Sequence, residues 1–468
     1  MSKGHVLRRS CARDFFLFSI MISFLLISPA AAIIIDVPLD QATIQAGIDA
    51  AGEGDTVLVA PGHYLENINF RGKEIVVSSH FMLDQDPHHI FNTIIDGSNP
   101  SHPDTCSTVA ILCDPDGPAI APVFQGFSVT GGNGTVLLDR AELVYYREGG
   151  GIVTDYGAPE IRFNYIHSNG MAPTENFGGG GMHLQFGNPS VTNNLIVNNR
   201  SWWGCGINVS YANSDIRNNV IAHNFGGEVW SGGGIYQYKG SMLCINNTVV
   251  ANVSSKAGGG IKIVAGTAEI NSSIVWYNVA PSNPQLYIQS GSAYVQYSNI
   301  QGGWAGLENI DAEPMLSDGW FYTLEGSPCI DAGSEESPYD DLPVSGNPFV
   351  ARWQSRGARR NDMGTYGGPG CFPFELVVIY ADAKVGWPPH EVNCAAESYF
   401  DVDEWTWDFG DADTALSPTT SHTYEEPGST TSRRPSNMTA ARYIHTAGIR
   451  SSPSWPIRSS ASKSSAIP

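Results

Sequence analysis

His183, Tyr236, Lys262 and Tyr287 are the residues of this 468-residue chain whose types and spacing best fit chemistry, with Trp202, Trp203, Trp230 and Tyr238 nearby. Hydrogen-bonding groups set among aromatic rings suit a sugar chain, whose hydroxyls need partners and whose ring faces stack on aromatics. Breaking a bond in such a chain asks for more. It takes gathered carboxylates, or a base tuned by burial or neighbouring charge. Val153, His183, Asn208, Tyr236, Lys262 and Tyr287 form one set of equivalent positions, and Asp155, Gln185, Ser210, Tyr238, Val264 and Gln289 form a second. Asp155 is the single acid in the two sets, and Lys262 has no carboxylate in an adjacent repeat, so no tuned base is expected.

A repeat must position these residues. Gly149-Gly-Gly-Ile152, Gly179-Gly-Gly-Met182, Gly204-Cys-Gly-Ile207, Gly232-Gly-Gly-Ile235 and Gly258-Gly-Gly-Ile261 recur, and Leu286 continues the column at intervals of 25 to 30 residues. A second block follows each: Ile161-Arg-Phe-Asn164, Val191-Thr-Asn-Asn194, Ile216-Arg-Asn-Asn219 and Cys244-Ile-Asn-Asn247, then Ser273 and Ser298 in the Asn place. Apolar residues alternate within each short run, the period of a half-buried strand. One unit cannot bury its own apolar face, but like stacked on like makes a continuous core. The glycines permit φ > 0 before the first strand; with no lysine and no following helix they are no phosphate cradle. Asn164, Asn194, Asn219 and Asn247 are expected to stack as an inward amide ladder, a structural device. Ile152, Met182, Ile207, Ile235, Ile261 and Leu286 point inward, so the His183–Tyr287 set points outward, onto an expected solvent face. His183 and Lys262 then lie three coils apart, ~14 Å at strand spacing, too far to act on one bond. The run Thr43–Ala51 reads as a short helix with Ile44 and Ile48 on one face, covering the open first coil.

Family resemblance rests on particular residues. Thr43-Ile-Gln-Ala-Gly-Ile-Asp-Ala-Ala51, Gly54-Asp-Thr-Val-Leu-Val-Ala-Pro-Gly-His-Tyr64 and Gln125-Gly-Phe-Ser-Val-Thr-Gly-Gly-Asn133 resemble pectate-lyase-like β-helix proteins. Gly326-Ser-Pro-Cys-Ile-Asp-Ala-Gly333 and Asp362-Met-Gly-Thr-Tyr366 resemble their closing coils. The resemblance implies a right-handed parallel β-helix over residues 33–370, an all-β fold, and says little of activity, because the group mixes lyases, hydrolases, epimerases and adhesins. Its lyases would imply a calcium-binding carboxylate cluster with an Arg or Lys base, which the outward positions do not supply. Over residues 371–428, Trp405-Thr-Trp-Asp-Phe-Gly-Asp411 and Ser421-His-Thr-Tyr424 resemble a PKD domain, a small immunoglobulin-like β-sandwich. The family pattern then expects another apolar strand, yet residues 429–468 hold no Asp or Glu and carry Arg433, Arg434, Arg442, Arg450, Arg458 and Lys463. The sandwich is therefore expected to be incomplete and the tail disordered or read out of frame.

Charge and termini bound the setting. With Lys+Arg 25 against Asp+Glu 46, the net charge of −21 repels nucleic acid and anionic lipid. Lys3, Arg8, Arg9 and Arg13, the apolar run to Ile27 and Ala30-Ala31-Ala32 have the order of a secretory signal peptide over residues 1–32. Past it, Cys106, Cys113, Cys205, Cys244, Cys329, Cys371 and Cys394 are odd in number and irregular in spacing, with only Cys106 and Cys113 close enough in sequence for a local bridge. Asp401, Asp403, Glu404, Asp408, Asp411 and Asp413 are acidic enough to suggest calcium, but their spacing matches no dedicated loop, so no cofactor or metal is expected. The expectation is a secreted or cell-surface bacterial protein, monomeric and non-catalytic, binding polysaccharide or matrix through His183, Trp202, Trp203, Trp230, Tyr236, Tyr238, Lys262 and Tyr287. The alternative is a polysaccharide lyase, epimerase or hydrolase with an atypical site around His183, Tyr236 and Lys262.

Overall fold

The computed structural model describes residues 32–170, 177–317, 319–344, 346–374, 377–381, 389–398, 407–409 and 413–425. The leader, the basic tail, the side chain of Trp230 and most of the acidic run from Asp401 to Asp411 lie outside the described residues. Among the described residues no helix is long and apolar enough to cross a membrane.

Alternating short apolar runs fold into three long sheets of eight, ten and nine strands, each pairing in parallel with its equivalent one coil on. Inside each coil a strand of the eight-stranded sheet leads to one of the ten-stranded and then one of the nine-stranded sheet. Ile152, Met182, Ile207, Ile235, Ile261 and Leu286 stand in one register column of the eight-stranded sheet and are buried in the shared core. At the first coil, the helix Ile44–Ala50 lays Ile44 and Ile48 on that core, and Thr43 caps it by accepting a hydrogen bond from the Ala46 N–H at 3.1 Å. Gly47 sits where a Cβ would press on Val57, so the helix approaches as closely as its backbone permits.

Corners between the ten- and nine-stranded sheets need one residue at φ > 0 and leave backbone groups turned inward, away from water. Phe163, Asn193, Asn218 and Asn246 take the left-handed conformation, and the next residue satisfies the buried groups. Asn219 Oδ1 accepts from the Asn194 N–H (2.9 Å) and Nδ2 (3.0 Å), while its own Nδ2 donates to the Val191 carbonyl (2.8 Å) and to Asn247 Oδ1 (3.0 Å). Asn164 donates to Asn194 Oδ1 in the same way, and Ser273 accepts from the Asn247 N–H. A second ladder, not read from the sequence, runs Asn169, Asn199, Asn224, Asn252, Asn278 at the far end of the nine-stranded sheet. Its signal was present: each member stands five residues after a member of the first.

The Asn-Asn doublets divide their labour. While Asn194, Asn219 and Asn247 stack inside, Asn193 donates outward to the Gly370 carbonyl, Asn218 to Thr365 and Gly367, and Asn246 to Asn361 and Asp362. Those acceptors belong to a closing segment that returns along the outer face of the nine-stranded sheet, where Cys329, Met363, Phe372 and Phe374 pack on Leu195, Val220, Val250 and Trp276. Two buried carboxyls brace this segment. Asp362 accepts from the N–H groups of Asp331 (2.7 Å) and Arg356 (2.8 Å), and Asp341 from those of Asp362 (3.2 Å) and Gly368 (2.5 Å). Burial holds both well above the usual carboxylate range, reinforced for Asp341 by the charge of Asp362.

Further on, Val377–Ala381, His390–Ser398 and Thr419–Tyr424 form an antiparallel sheet, and Trp407–Asp408 pairs with Thr414–Ala415. Trp407 and Phe409 are buried there, and His422 stacks on Phe409 at 4.2 Å. Cys106 and Cys113 are free thiols and form no local bridge.

Two outcomes follow. Asn219→Leu strands the Asn194 N–H and the Val191 carbonyl, each at a cost of about 1–3 kcal/mol, so urea denaturation is expected to show a loss of roughly 2–6 kcal/mol. Raised folded-state pKa values for Asp341 and Asp362 mean that the folded chain holds their protons more tightly than the unfolded chain. Their contribution is complete in acid and is lost as pH rises through neutrality into the alkaline range. Calorimetry is expected to show a melting temperature that falls from pH 6 to pH 9, with a flatter fall in Asp341→Asn.

Candidate functional site

In the eight-stranded sheet, Val153, His183, Asn208, Tyr236, Lys262 and Tyr287 stand in one register column, and Asp155, Gln185, Ser210, Tyr238 and Val264 in the next. Gln289 falls one residue past its strand. Both columns face away from the core. Most of their side chains are nonetheless shut off from water, with Asp155, Tyr238, Val264 and Tyr287 half-buried. His183 is 2 % exposed, Asn208 1 %, Tyr236 6 % and Lys262 6 %, which corrects the expectation of an open groove. Trp203 is buried as well, while Trp202, Tyr238 and Tyr287 are half-buried.

The glycines cause this burial. Gly149, Gly179, Gly204, Gly232 and Gly258 all have φ > 0, and a Cβ on each would strike the residue four positions on, such as His183 for Gly179 and Lys262 for Gly258. At each of them the chain doubles back, laying its preceding strand over the outward column. Those preceding strands, with Thr105–Cys106 and the hairpin Gly134–Asp139/Val144–Glu148, make a fourth, seven-stranded sheet. Within it Glu148, Gly178 and Trp203 form one column. Gly178 has no side chain to spare: the Trp203 indole nitrogen and a Glu148 carboxylate oxygen occupy the place of its Cβ.

Glu148 thus reaches the column below. Its Oε2 lies 3.0 Å from His183 Nδ1 and 3.3 Å from Asn208 Nδ2, and the last two lie 2.7 Å apart. His183 Nε2, Asn208 Oδ1 and Asp155 Oδ1 are buried without a hydrogen-bond partner. Burial pushes Asp155 up to about 6, against the pull of His183 and Arg140. Lys262 lies 5.7 Å from the centre of the Tyr236 ring and 5.5 Å from that of Tyr287, and burial pulls it down to about 8, with Lys256 adding to the effect. A desolvated base therefore exists, contrary to the sequence expectation. Desolvation needs no charged partner, and the covering strand supplies it.

The hairpin and a turn stack went unread in the sequence. Thr135–Asp139 and Val144–Glu148 are two strand-forming runs about a polar turn, but they precede the regular repeat. Tyr156, Phe186 and Tyr211 recur four residues after the inward column and stack at 4.8 and 5.3 Å, with Arg140 over the first ring and Lys239 over the last. Their faces are spent on each other and on these cations. Among the described residues, no group of three or more His, Cys, Asp or Glu side chains is placed to hold a metal ion.

A family model described as right handed beta helix region matches residues 124–275. The chain is a right-handed parallel β-helix. The crystal structure of pectate lyase Pel9A is similar over 69% of this chain and 90% of that one, at 14% identity and a TM-score of 0.35. Likeness that distant says nothing about this β-helix's chemistry. No curated protein matches the sequence.

Gly178→Ala is the sharpest test of the covered face. A methyl there displaces Trp203 and Glu148, and overpacking of this kind costs about 1–3 kcal/mol. Urea denaturation is expected to register that loss, and the His183 imidazole resonances are expected to shift as Glu148 withdraws.

Proposed function

We propose that this β-helix is a secreted or cell-surface protein that binds glycan or matrix without turning it over. The observation that carries the reading is the pairing of Glu148 with His183 and Asn208 beneath the fourth sheet. It ties Glu148 to His183, where cleavage of a sugar chain would need those two groups turned toward the bond. The half-buried rings of Trp202, Tyr238 and Tyr287 are the aromatic surface left on this side for a saccharide. Support for export comes from the charged, apolar, small-residue order of residues 1–32, and the PKD-like motifs suit a spacer module beyond the solenoid. The acidity of the chain favours a neutral or basic partner surface over nucleic acid or anionic lipid.

One observation favours a catalytic reading, a polysaccharide lyase, epimerase or hydrolase acting at Lys262. With its pKa near 8, Lys262 gives up its proton close to neutrality, as a general base must. A single panel separates the two. Neutral and acidic polysaccharides are assayed for pull-down and for new unsaturated or reducing ends. Retention that is lost in Trp202→Ala or Tyr287→Ala, with no new ends formed, is the expected result. Product formation that disappears in Lys262→Ala would sink the non-catalytic proposal.

A further inference from the structure

We infer that the hairpin Gly134–Asp139/Val144–Glu148 is an openable strap over a hydroxyl-binding site made by Asp155, His183 and Asn208. The site is a saccharide subsite and rests on the glycan-binding reading above.

The strap is held mainly by polar contacts, beside the edge-on packing of Tyr146 on Trp203 at 6.1 Å. Its turn is shaped by Asp139, which accepts from the N–H groups of Ala141 (2.8 Å) and Glu142 (3.0 Å). From that turn Glu142 accepts hydrogen bonds from Tyr238 (2.8 Å) and Tyr211 (3.2 Å), while Arg140 lies over Tyr156. These anchors stand on coils from Tyr156 to Tyr238, so the turn spans four successive coils. No apolar side chain of the hairpin is fully buried; Leu143, Val144 and Tyr145 face solvent, and Val136, Leu137 and Leu138 are half-buried. An element with no fully buried apolar side chain belongs to the less stable part of a fold and opens locally before the core does.

What it covers is unfinished. His183 and Asn208, each at least nine-tenths buried, keep Nε2 and Oδ1 unpartnered, and half-buried Asp155, one coil before His183, keeps Oδ1 unpartnered. Buried polar atoms without partners mark a place where something else completes the bonding. Nε2 is an acceptor when Nδ1 carries the proton and donates it to Glu148, and a donor when Nδ1 instead accepts from Asn208 Nδ2; a hydroxyl serves either case. Asp155 and Asn208 offer acceptors only. A ligand with several adjacent hydroxyls, each able to donate, meets all three.

Hydrogen–deuterium exchange on the full chain tests the strap, and calorimetry with cellohexaose as a neutral probe tests the site. Tyr211→Phe/Tyr238→Phe removes the two hydroxyls outside the hairpin that donate to Glu142 and keeps the rings. Exchange across 134–148 is expected to rise at least tenfold while the nine-stranded sheet stays protected, and Glu142→Gln is expected to move it the same way by less. Cellohexaose is expected to bind the double variant at least fivefold more tightly, and Asn208→Leu is expected to abolish binding. Exchange within twofold of the parent in both strap variants overturns the strap. Faster exchange with cellohexaose affinity unchanged overturns the site beneath it while leaving glycan binding elsewhere intact. Faster exchange with no saccharide bound by any form overturns the site and the glycan-binding reading together.

Discussion

Every part of this molecule depends on satisfying backbone groups that the coil corners turn into the core. A corner needs one residue at φ > 0, and the groups beside it lose water. Asn side chains stacked in register supply the missing donors and acceptors, each amide serving its own coil and its neighbours. Because the ladder works only when equivalent residues align, it fixes the register of the parallel sheets on either side. Once that register is fixed, the apolar columns meet, and the outward columns on the eight-stranded sheet are brought into line as well.

Much of this was legible in the residues. A period of two within strands and a recurring glycine motif give the inward column from Ile152 to Leu286 directly, since a slip of one residue would turn every apolar side chain outward. The helix at Ile44–Ala50 could be read from two isoleucines four apart. Solvent exposure could not. Alternation tells which way a side chain leaves its sheet, and nothing in it reveals that the chain preceding each glycine folds back over that side. Glu148 and Glu142 were missed for a related reason: they sit in a hairpin outside the repeat, and they meet His183 and Tyr238 only through long-range packing.

Covering this face changes what its residues can do. In water His183, Lys262 and Asp155 would be ordinary polar groups along a rod. Under the fourth sheet the Glu148–His183–Asn208 network becomes a packed polar layer between two sheets, and Lys262 becomes a weakly basic amine between two phenol rings. Burial of this kind is costly unless each group finds a partner, which makes the unpartnered atoms of Asp155, His183 and Asn208 the most informative in the layer.

Stacked-coil proteins usually tolerate the gain or loss of a unit, because each coil touches only the next. The closing segment removes that freedom here. It meets Asn193, Asn218, Asn246 and Ser272 on four successive coils, stepping back along the chain from Gly370 through Thr365 and Asp362 to Asn361. Inserting or deleting one coil among them would set every later contact against the wrong residue. The segment therefore acts as a ruler laid along the stack, and it gives a repetitive chain a fixed length.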